Sequence, residues 1–386
     1  MEELLAELVA MQTITGNTTA NNKALDFIAE YLRERGMYIR RYDFHGHGSL
    51  VATIKPNAKV TKVILYAHMD VVVGDKSLFT LRRDGDRLFG RGTMDMKFAV
   101  AGYLYLVDQL RDQLADFDFA IMITTDEELN SHGNLNSAPY LLEEGYRSEV
   151  CIMPDGGNAW DVEMIAKGSW QFDIQATGKG AHGSRPWEGD DASRKLVQAL
   201  NELYERFADQ GPNTDTVNVG KIESDGGYSQ IPTRMTAQVT IRLATETSLA
   251  ENQAFIKYLC DKYKVTITDL SSDPPQSQDM QNPLIRAFMD SITRVTGHKS
   301  KGCVSMGKSD AGCFGEIGIP CVLTYPPGAG HHSEYEWVSA EALEQFPEIM
   351  HDYLKRNARS PKTNHSLPGA GKTTHTENHQ ITSVLV

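Results

Sequence analysis

The sequence predicts an α/β fold in which a mixed sheet is flanked by helices and interrupted by a smaller α+β domain. Short apolar runs, such as residues 63–67 and 117–124, are typical of strands buried on both faces of a sheet. Helical periodicity separates these runs, which favours strand–helix–strand units. After about residue 166 the pattern changes. Residues 169–177 alternate strictly between apolar and polar, as half-buried antiparallel strands do.

Each element of the first part of the chain follows from its local pattern. Helices are predicted where apolar residues recur every three or four positions, and strands where β-branched and aromatic residues cluster. A long loop at residues 74–92, with glycines at its end, precedes a helix. The predicted elements are helices at residues 2–12, 21–35 and 97–112, and strands at residues 40–44, 49–54, 63–66, 117–124 and 149–153.

The remainder of the chain divides into an inserted segment and a return to the first sheet. The insertion is predicted to hold strands at residues 169–177, 216–222, 234–242 and 265–269, and helices at residues 193–207 and 249–263. A linker at residues 271–278 leads to a helix at 283–297, strands near Cys303 and at 320–325, and a helix at 339–357. The predicted domains are 1–166 and 276–357 for the first sheet, 167–275 for the insertion and 358–386 for a disordered polar tail.

Composition excludes several classes of function. The chain of 386 residues has 40% hydrophobic and 23% charged residues, which are globular values. Its formal net charge of −13 argues against nucleic acid or an anionic membrane as partner. No apolar run approaches the ~20 residues that span a bilayer. The acidic N-terminus does not resemble a signal peptide, and five cysteines without C-x-x-C spacing fit reduced thiols, so we expect a cytoplasmic protein.

Polar side chains follow the predicted buried strands. His68 and Asp70 come directly after the strand at 63–66, where they would share one face of the chain. Taken alone, a histidine there is more often a hydrogen-bonded structural residue. The carboxyl ends of parallel strands meet at one edge of a sheet, so we expect several such groups to converge there. The candidate residues at these loops are His68, Asp70, Asp95, Glu127, Glu128, Asp155, His331 and His332.

This set of side chains suits metal ions. Imidazoles and carboxylates together favour two divalent cations, with zinc first and cobalt or manganese as alternatives. A carboxylate can bridge two metals, whereas an imidazole cannot. Of the adjacent Glu127 and Glu128, one can face a metal and the other the water that the metal acidifies. The chemistry that follows is hydrolysis of an amide or peptide bond.

Seven motifs in one order then resemble a known family. They read AHMDVV, GRGTMDMK, TTDEE, PDGG, GAHGSRP, IP with Arg242 ten residues on, and HSEYEWV. Together they resemble the co-catalytic dinuclear-zinc metallopeptidases, which include acetylornithine deacetylase, succinyl-diaminopimelate desuccinylase, aminoacylase, carnosinase and glutamate carboxypeptidase. The resemblance covers about residues 1–357. It implies a zinc-peptidase-like α/β domain with an inserted lid domain, through which we expect a homodimer.

The resemblance also implies a metal-ligand set. His68 and Asp155 would bind one metal ion. Glu128 and His332 would bind the other, and Asp95 would bridge both. The family pattern His-Ser-x-x-Glu aligns with residues 332–336, which favours His332 over the adjacent histidine.

Further roles are implied by the same resemblance. Asp70 would orient His68, and Glu127 would be the general base. His182 would stabilise the oxyanion of the tetrahedral intermediate, commonly in the partner subunit's site. Arg242 would bind the carboxylate of the substrate.

The substrate itself stays open. The loop at 306–310 departs from the family pattern and carries Lys308, which either adds a positive charge to the cleft or is a solvated loop lysine. Both an N-acyl-amino-acid deacylase and a dipeptidase fit the motifs. An alternative from another class is a catalytically silent metal-binding protein that holds an amino acid or peptide, although Glu127 argues against it.

Overall fold

A computed structural model describes residues 1–129, 136–211, 213–245, 247–273, 275–305, 307 and 309–360. The helices are Glu2–Ala10 (α1), Thr18–Glu34 (α2), Lys97–Leu110 (α3), Ser137–Glu143 (α4), Ala192–Arg206 (α5), Ser248–Tyr263 (α6), Pro283–Thr296 (α7), Ala311–Glu316 (α8) and Ala340–Asn357 (α9). The strands are Tyr38–Phe44 (β1), His47–Thr53 (β2), Val60–His68 (β3), Arg82–Asp84 (β4), Arg87–Phe89 (β5), Phe119–Thr124 (β6), Arg147–Ile152 (β7), Val162–Ala166 (β8), Gly168–Thr177 (β9), Thr216–Ser224 (β10), Arg234–Leu243 (β11), Val265–Asp273 (β12), Gln276–Ser277 (β13), Gly302–Ser305 (β14), Cys321–Val322 (β15), Gly328–Ala329 (β16) and Trp337–Ser339 (β17).

A mixed sheet lies at the centre of the fold. Over the described residues its strand order is β1-β2-β6-β3-β7-β15. Strands β6, β3, β7 and β15 run parallel, whereas β1 and β2 form an antiparallel hairpin beside β6. His68 is in register with Thr124, so β3 and β6 end at the same edge. The predicted α/β fold class with a mixed sheet is confirmed.

Helices cover both faces of this sheet. Val63, Leu65 and Ala67 of β3 face one hydrophobic cluster, with residues of α1, α2, α3, α7 and α9. Ile64 and Tyr66 face the other, against α4 and α8. Because successive side chains of a strand point to opposite faces, a continuous apolar run is what a doubly covered strand requires. Each fully buried aliphatic or aromatic side chain contributes about 1.5–3 kcal/mol.

A second sheet is formed by the inserted segment. Its order is β10-β11-β9-β12, all neighbours are antiparallel, and helices α5 and α6 cover one face of it. Trp170, Phe172 and Ile174 alternate into a hydrophobic cluster of its own, as the period of two predicts. We refer to residues 167–275 as the lid. The domain boundaries themselves stay a prediction.

The lid joins the first part of the fold through a two-stranded ribbon. Ala166 pairs with Gln276 on one side of the junction, and Ser169 pairs with Asp273 on the other. The predicted linker at residues 271–278 is therefore wrong in part, because β12 extends to Asp273 and β13 pairs with β8. Its Ser- and Pro-rich composition is typical of a linker, yet residues 271–273 pair with β9 and Gln276–Ser277 pair with β8.

Other differences have local causes. The pair β4 and β5 forms a hairpin inside the predicted loop at 74–92. The strand expected at 320–325 is confined to Cys321–Val322. The tail was predicted to begin at residue 358, but Ala358 is buried, and Ser360 donates its backbone N–H to Asp116 at 2.8 Å. Residues 361–386 lie outside the described residues. Within the described ranges, no helix combines the length and apolar character that a membrane span needs.

Candidate functional site

Two clusters of imidazole and carboxylate groups lie at the carboxyl edge of the central sheet. The first consists of His68, Glu127 and Asp155, and the second of Asp95, Glu128 and His332. Within each cluster the nitrogen and oxygen atoms lie within 4.8 Å of one another. His68 ends β3, the two glutamates follow β6, and Asp155 follows β7. The structure therefore brings these sequence-predicted residues together because parallel strands deliver their loops to one edge.

Asp95 joins the two clusters. Its Oδ1 lies 3.1 Å from Nε2 of His68, and its Oδ2 lies 3.1 Å from Nε2 of His332. Burial alone would raise the pKa of this carboxyl, but the two imidazoles hold the pKa of Asp95 below its ordinary value. The residue lies two positions before the first residue of α3, near the helix N-terminus, where the helix dipole also favours a negative charge. One carboxylate thus faces both clusters.

The loop before Asp95 needs glycine. Gly92 has a φ of +84°, and a Cβ there would lie 2.9 Å from Val71 Cγ1 and 2.8 Å from Cδ of Lys97. An L side chain at this position is therefore both strained and crowded. Lys97 is itself fully buried, and its Nζ donates to the backbone carbonyl of Leu8 at 2.9 Å.

Asp70 fixes the two glutamates by their backbone. Its fully buried carboxylate accepts the N–H of Glu127 at 3.3 Å, the N–H of Glu128 at 3.1 Å and the hydroxyl of Thr15 at 2.9 Å. Towards His68, the closer contact of Asp70 is its backbone carbonyl, 3.0 Å from Nδ1, whereas its Oδ1 lies 3.6 Å away. Asp70 therefore positions the glutamate turn as well as the imidazole.

Asp155 has one satisfied and one open oxygen. The Tyr325 hydroxyl donates to Oδ1 at 2.7 Å, and Oδ2 is buried with no hydrogen-bond partner among the described residues. Burial and the negative charge of Asp95 raise the pKa of Asp155 to about 8. Burial and Asp155 likewise raise the pKa of Glu127. Negative charges are thus crowded at this edge beyond what the neighbouring imidazoles balance.

These residues fit divalent cations. Each cluster offers one imidazole nitrogen with carboxylate oxygens, which is the donor set of zinc and related borderline metals. The unpartnered Oδ2 of Asp155 and the mutual repulsion of the buried acids are what a bound cation would relieve. His68 and Asp155 would hold one ion and Glu128 and His332 the other, with Asp95 between them.

The two neighbouring histidines have different surroundings. His332 Nε2 lies 2.9 Å from Oε1 of Glu128. These contacts with Glu128 and Asp95 raise the pKa of His332 to about 10. His331 instead stacks on the Tyr325 ring, with centroids 6.0 Å apart. The geometry supports His332 as the cluster member.

Two of the three predicted substrate residues lie in the lid. His182 is exposed on a lid loop, where its Nδ1 lies 2.8 Å from the Ser184 hydroxyl. Arg242 is half-buried near the end of β11. Among the described residues neither is hydrogen-bonded to a member of the clusters. Lys308 lies outside the described residues.

Two further residues at the site were not singled out from the sequence. Tyr325 contacts Asp155, and the buried Glu336 accepts hydrogen bonds from the loop that carries Asp95. Glu336 belongs to the HSEYEWV motif, so its position in that motif was the signal that could have found it. No local pattern marks Tyr325.

Comparisons with known proteins identify a family and related structures. The sequence model of peptidase family M20/M25/M40 matches residues 64–356. A succinyl-diaminopimelate desuccinylase of Rickettsia bellii is 25% identical over 381 residues, covering 91% of this chain and 95% of its own. A tripeptidase structure from Staphylococcus aureus has a TM-score of 0.75 at 19% identity, covering 92% of this chain and 98% of its own. A metallo-carboxypeptidase structure from Sulfolobus solfataricus has a TM-score of 0.71 at 16% identity, covering 91% and 97%.

The fold is thus one that this chain shares with solved peptidases, among them a metallo-carboxypeptidase. More specifically, the chain belongs to peptidase family M20/M25/M40. The resemblance inferred from the seven motifs is confirmed. So is the fold class, since the solved structures share it over nearly the whole chain.

We expect Tyr325→Phe to destabilise the metal-free protein by about 1–3 kcal/mol, because it leaves a buried Asp155 oxygen without its donor. Tyr353→Phe is a matched control, since the Tyr353 hydroxyl is buried with no partner among the described residues. We expect that variant to be close to neutral. Urea denaturation of both variants measures the difference, and equal midpoints would contradict the assigned hydrogen bond.

Proposed function

We propose that this chain is a metal-dependent hydrolase that cleaves the amide or peptide bond of a small N-acyl amino acid or dipeptide. The observation that carries the proposal is the contact of two histidine–carboxylate clusters through Asp95. The relatives support the same bond class, because their names include a desuccinylase, a tripeptidase and a carboxypeptidase.

The two clusters would bind two divalent cations, zinc first, with cobalt or manganese as alternatives. His68 and Asp155 would hold one ion and Glu128 and His332 the other, and Asp95 would serve both. Cations held there supply positive charge that polarises a carbonyl and lowers the pKa of nearby water. The protein's part is to hold the ligands at fixed positions, and Asp70 does so for the glutamate turn.

Glu127 is the proposed general base. Its backbone N–H is held by Asp70, while its carboxylate forms no hydrogen bond with another described residue. It is therefore free to take a proton from water at the cluster that contains His68 and Asp155. Glu128 is engaged with His332 and is the less available of the pair.

Substrate contacts are proposed for the lid. Arg242 would bind the substrate carboxylate, because a planar guanidinium suits a planar, bidentate anion. His182 would stabilise the oxyanion, reaching the site of the partner subunit in a homodimer formed through the lid. A cytoplasmic location completes the proposal. A role for Lys308 in selecting substrates with an acidic group stays a prediction.

Glu127→Gln should lower kcat by about 10²–10⁴-fold, because the amide cannot accept the proton. Metal content should stay unchanged. The assay is hydrolysis of N-acetyl amino acids and dipeptides with zinc, cobalt and manganese, which also separates a deacylase from a dipeptidase. Glu143→Gln, at an exposed position on α4, is the control. Unchanged turnover by Glu127→Gln would remove the general base. Tight ligand binding without any hydrolysis by the wild type would favour a silent binding protein.

Adjacent histidines offer a matched test of the metal ligands. His332→Gln should release one metal ion, because the amide binds zinc far more weakly than an imidazole does. His331→Gln should retain both ions, since that ring packs on Tyr325. Equilibrium dialysis followed by metal analysis measures the stoichiometry. Retention of two ions by His332→Gln, or their loss from His331→Gln, contradicts the assignment.

Arg242→Gln should raise KM for substrates with a free carboxylate by about 10–100-fold, with little effect on the corresponding amidated substrates. The reason is the loss of a charged, bidentate contact. Arg234→Gln is the control, because Arg234 lies exposed at the opposite end of the same strand. Steady-state kinetics on the paired substrates gives the comparison, and a parallel rise for both substrate types would argue against carboxylate binding.

A further inference from the structure

Glu336 is a buried carboxylate that belongs to neither cluster, yet it contacts the loop of one proposed metal ligand and follows another by four residues. We propose that Glu336 is a positioning residue that fixes Asp95 relative to His332. This inference rests on the proposed function, because it assigns the residue a role towards the metal ligands.

The four donors to the Glu336 carboxylate among the described residues all come from one short segment, residues 91–95. Its Oε2 accepts from Nη1 of Arg91 at 2.8 Å and from the N–H of Gly92 at 2.9 Å. Its Oε1 accepts from the N–H of Met94 at 2.9 Å and from the N–H of Asp95 at 3.1 Å. Three of the four donors are backbone amides in an irregular loop, so the carboxylate replaces the partners that a helix or strand would give.

The held loop ends at the residue that joins the clusters. Both carboxylate oxygens of Asp95 are engaged, one with His68 and the other with His332. A shift of the Asp95 backbone would therefore change both distances at once. Arg91 adds a second link, because its Nη1 also donates to the carbonyl of Ser333 at 3.1 Å, next to His332.

The contacts of Glu336 differ from those of an ordinary ion pair in a protein core. It would need only the guanidinium of Arg91, which is buried beside Glu336. Here the carboxylate also accepts hydrogen bonds from three backbone N–H groups of the loop that carries Asp95. Glu336 itself lies on the chain segment that supplies His332. The contacts therefore tie two ligand-bearing loops to each other, and metal affinity should depend on them.

The test is Glu336→Gln, compared with the wild type. Glutamine has one acceptor oxygen, and its NH₂ group would face two of the four donors. In the metal-free protein, amide exchange of residues 90–96 should lose its protection. Zinc affinity, measured by competition with a chelator, should fall by about 10–100-fold for the more weakly held ion, as loss of an outer partner does at other sites.

Asp215→Asn is the matched control. Asp215 is also a carboxylate with several donors, namely Ala244 N at 2.6 Å, Ser248 Oγ at 2.8 Å and Asn252 Nδ2 at 2.6 Å. These donors all lie in the lid. The control should lose stability without changing zinc affinity or the exchange of residues 90–96.

Each result of these measurements either supports or contradicts the positioning role of Glu336. If Glu336→Gln does not fold, Glu336→Asp replaces it, because the shorter side chain keeps the charge but cannot reach all four donors. Wild-type exchange and wild-type zinc affinity in a folded variant overturn the positioning role and leave the proposed function intact. Failure of the wild type to bind divalent metal overturns both. Equal loss of zinc affinity in Asp215→Asn shows a general stability effect and overturns the inference.

Discussion

Burial of several carboxylates within a few ångströms of one another is the constraint on which this site depends. Burial, and then the negative charge of a neighbouring carboxylate, raises the pKa of both Asp155 and Glu127. The protein offsets this cost locally. Backbone amides bind Asp70 and Glu336, imidazoles flank Asp95, and a phenol binds one oxygen of Asp155. The remaining negative charge is what makes the edge suitable for cations.

The sheet and the candidate ligands could be read from the sequence because both leave local patterns. Residues 63–67 of β3 are apolar at every position, and a strand covered on both faces needs that pattern. His68 follows directly, so its location at a strand end was also predictable. The family motifs then supplied the order of the ligands. These inferences needed only residues close together in the chain.

Contacts between distant segments were not predictable in the same way. Tyr325 and Asp155 are 170 residues apart, and Glu336 and Met94 are 242 apart. No periodicity specifies such pairs. Residues 276–277 lie in the linker that the local composition predicts, although they pair with β8 as a strand. Local composition describes what a segment can do alone, whereas edge pairing depends on the strand that is available nearby.

The two-stranded ribbon joins the lid to the central fold at a single place. Its entry and exit strands are neighbours, as the pairs Ala166–Gln276 and Ser169–Asp273 show. All six members of the clusters lie outside residues 167–275. The lid therefore leaves and rejoins the central fold at one place, as an inserted domain does. Sequence change within it need not move the groups at the edge of the central sheet.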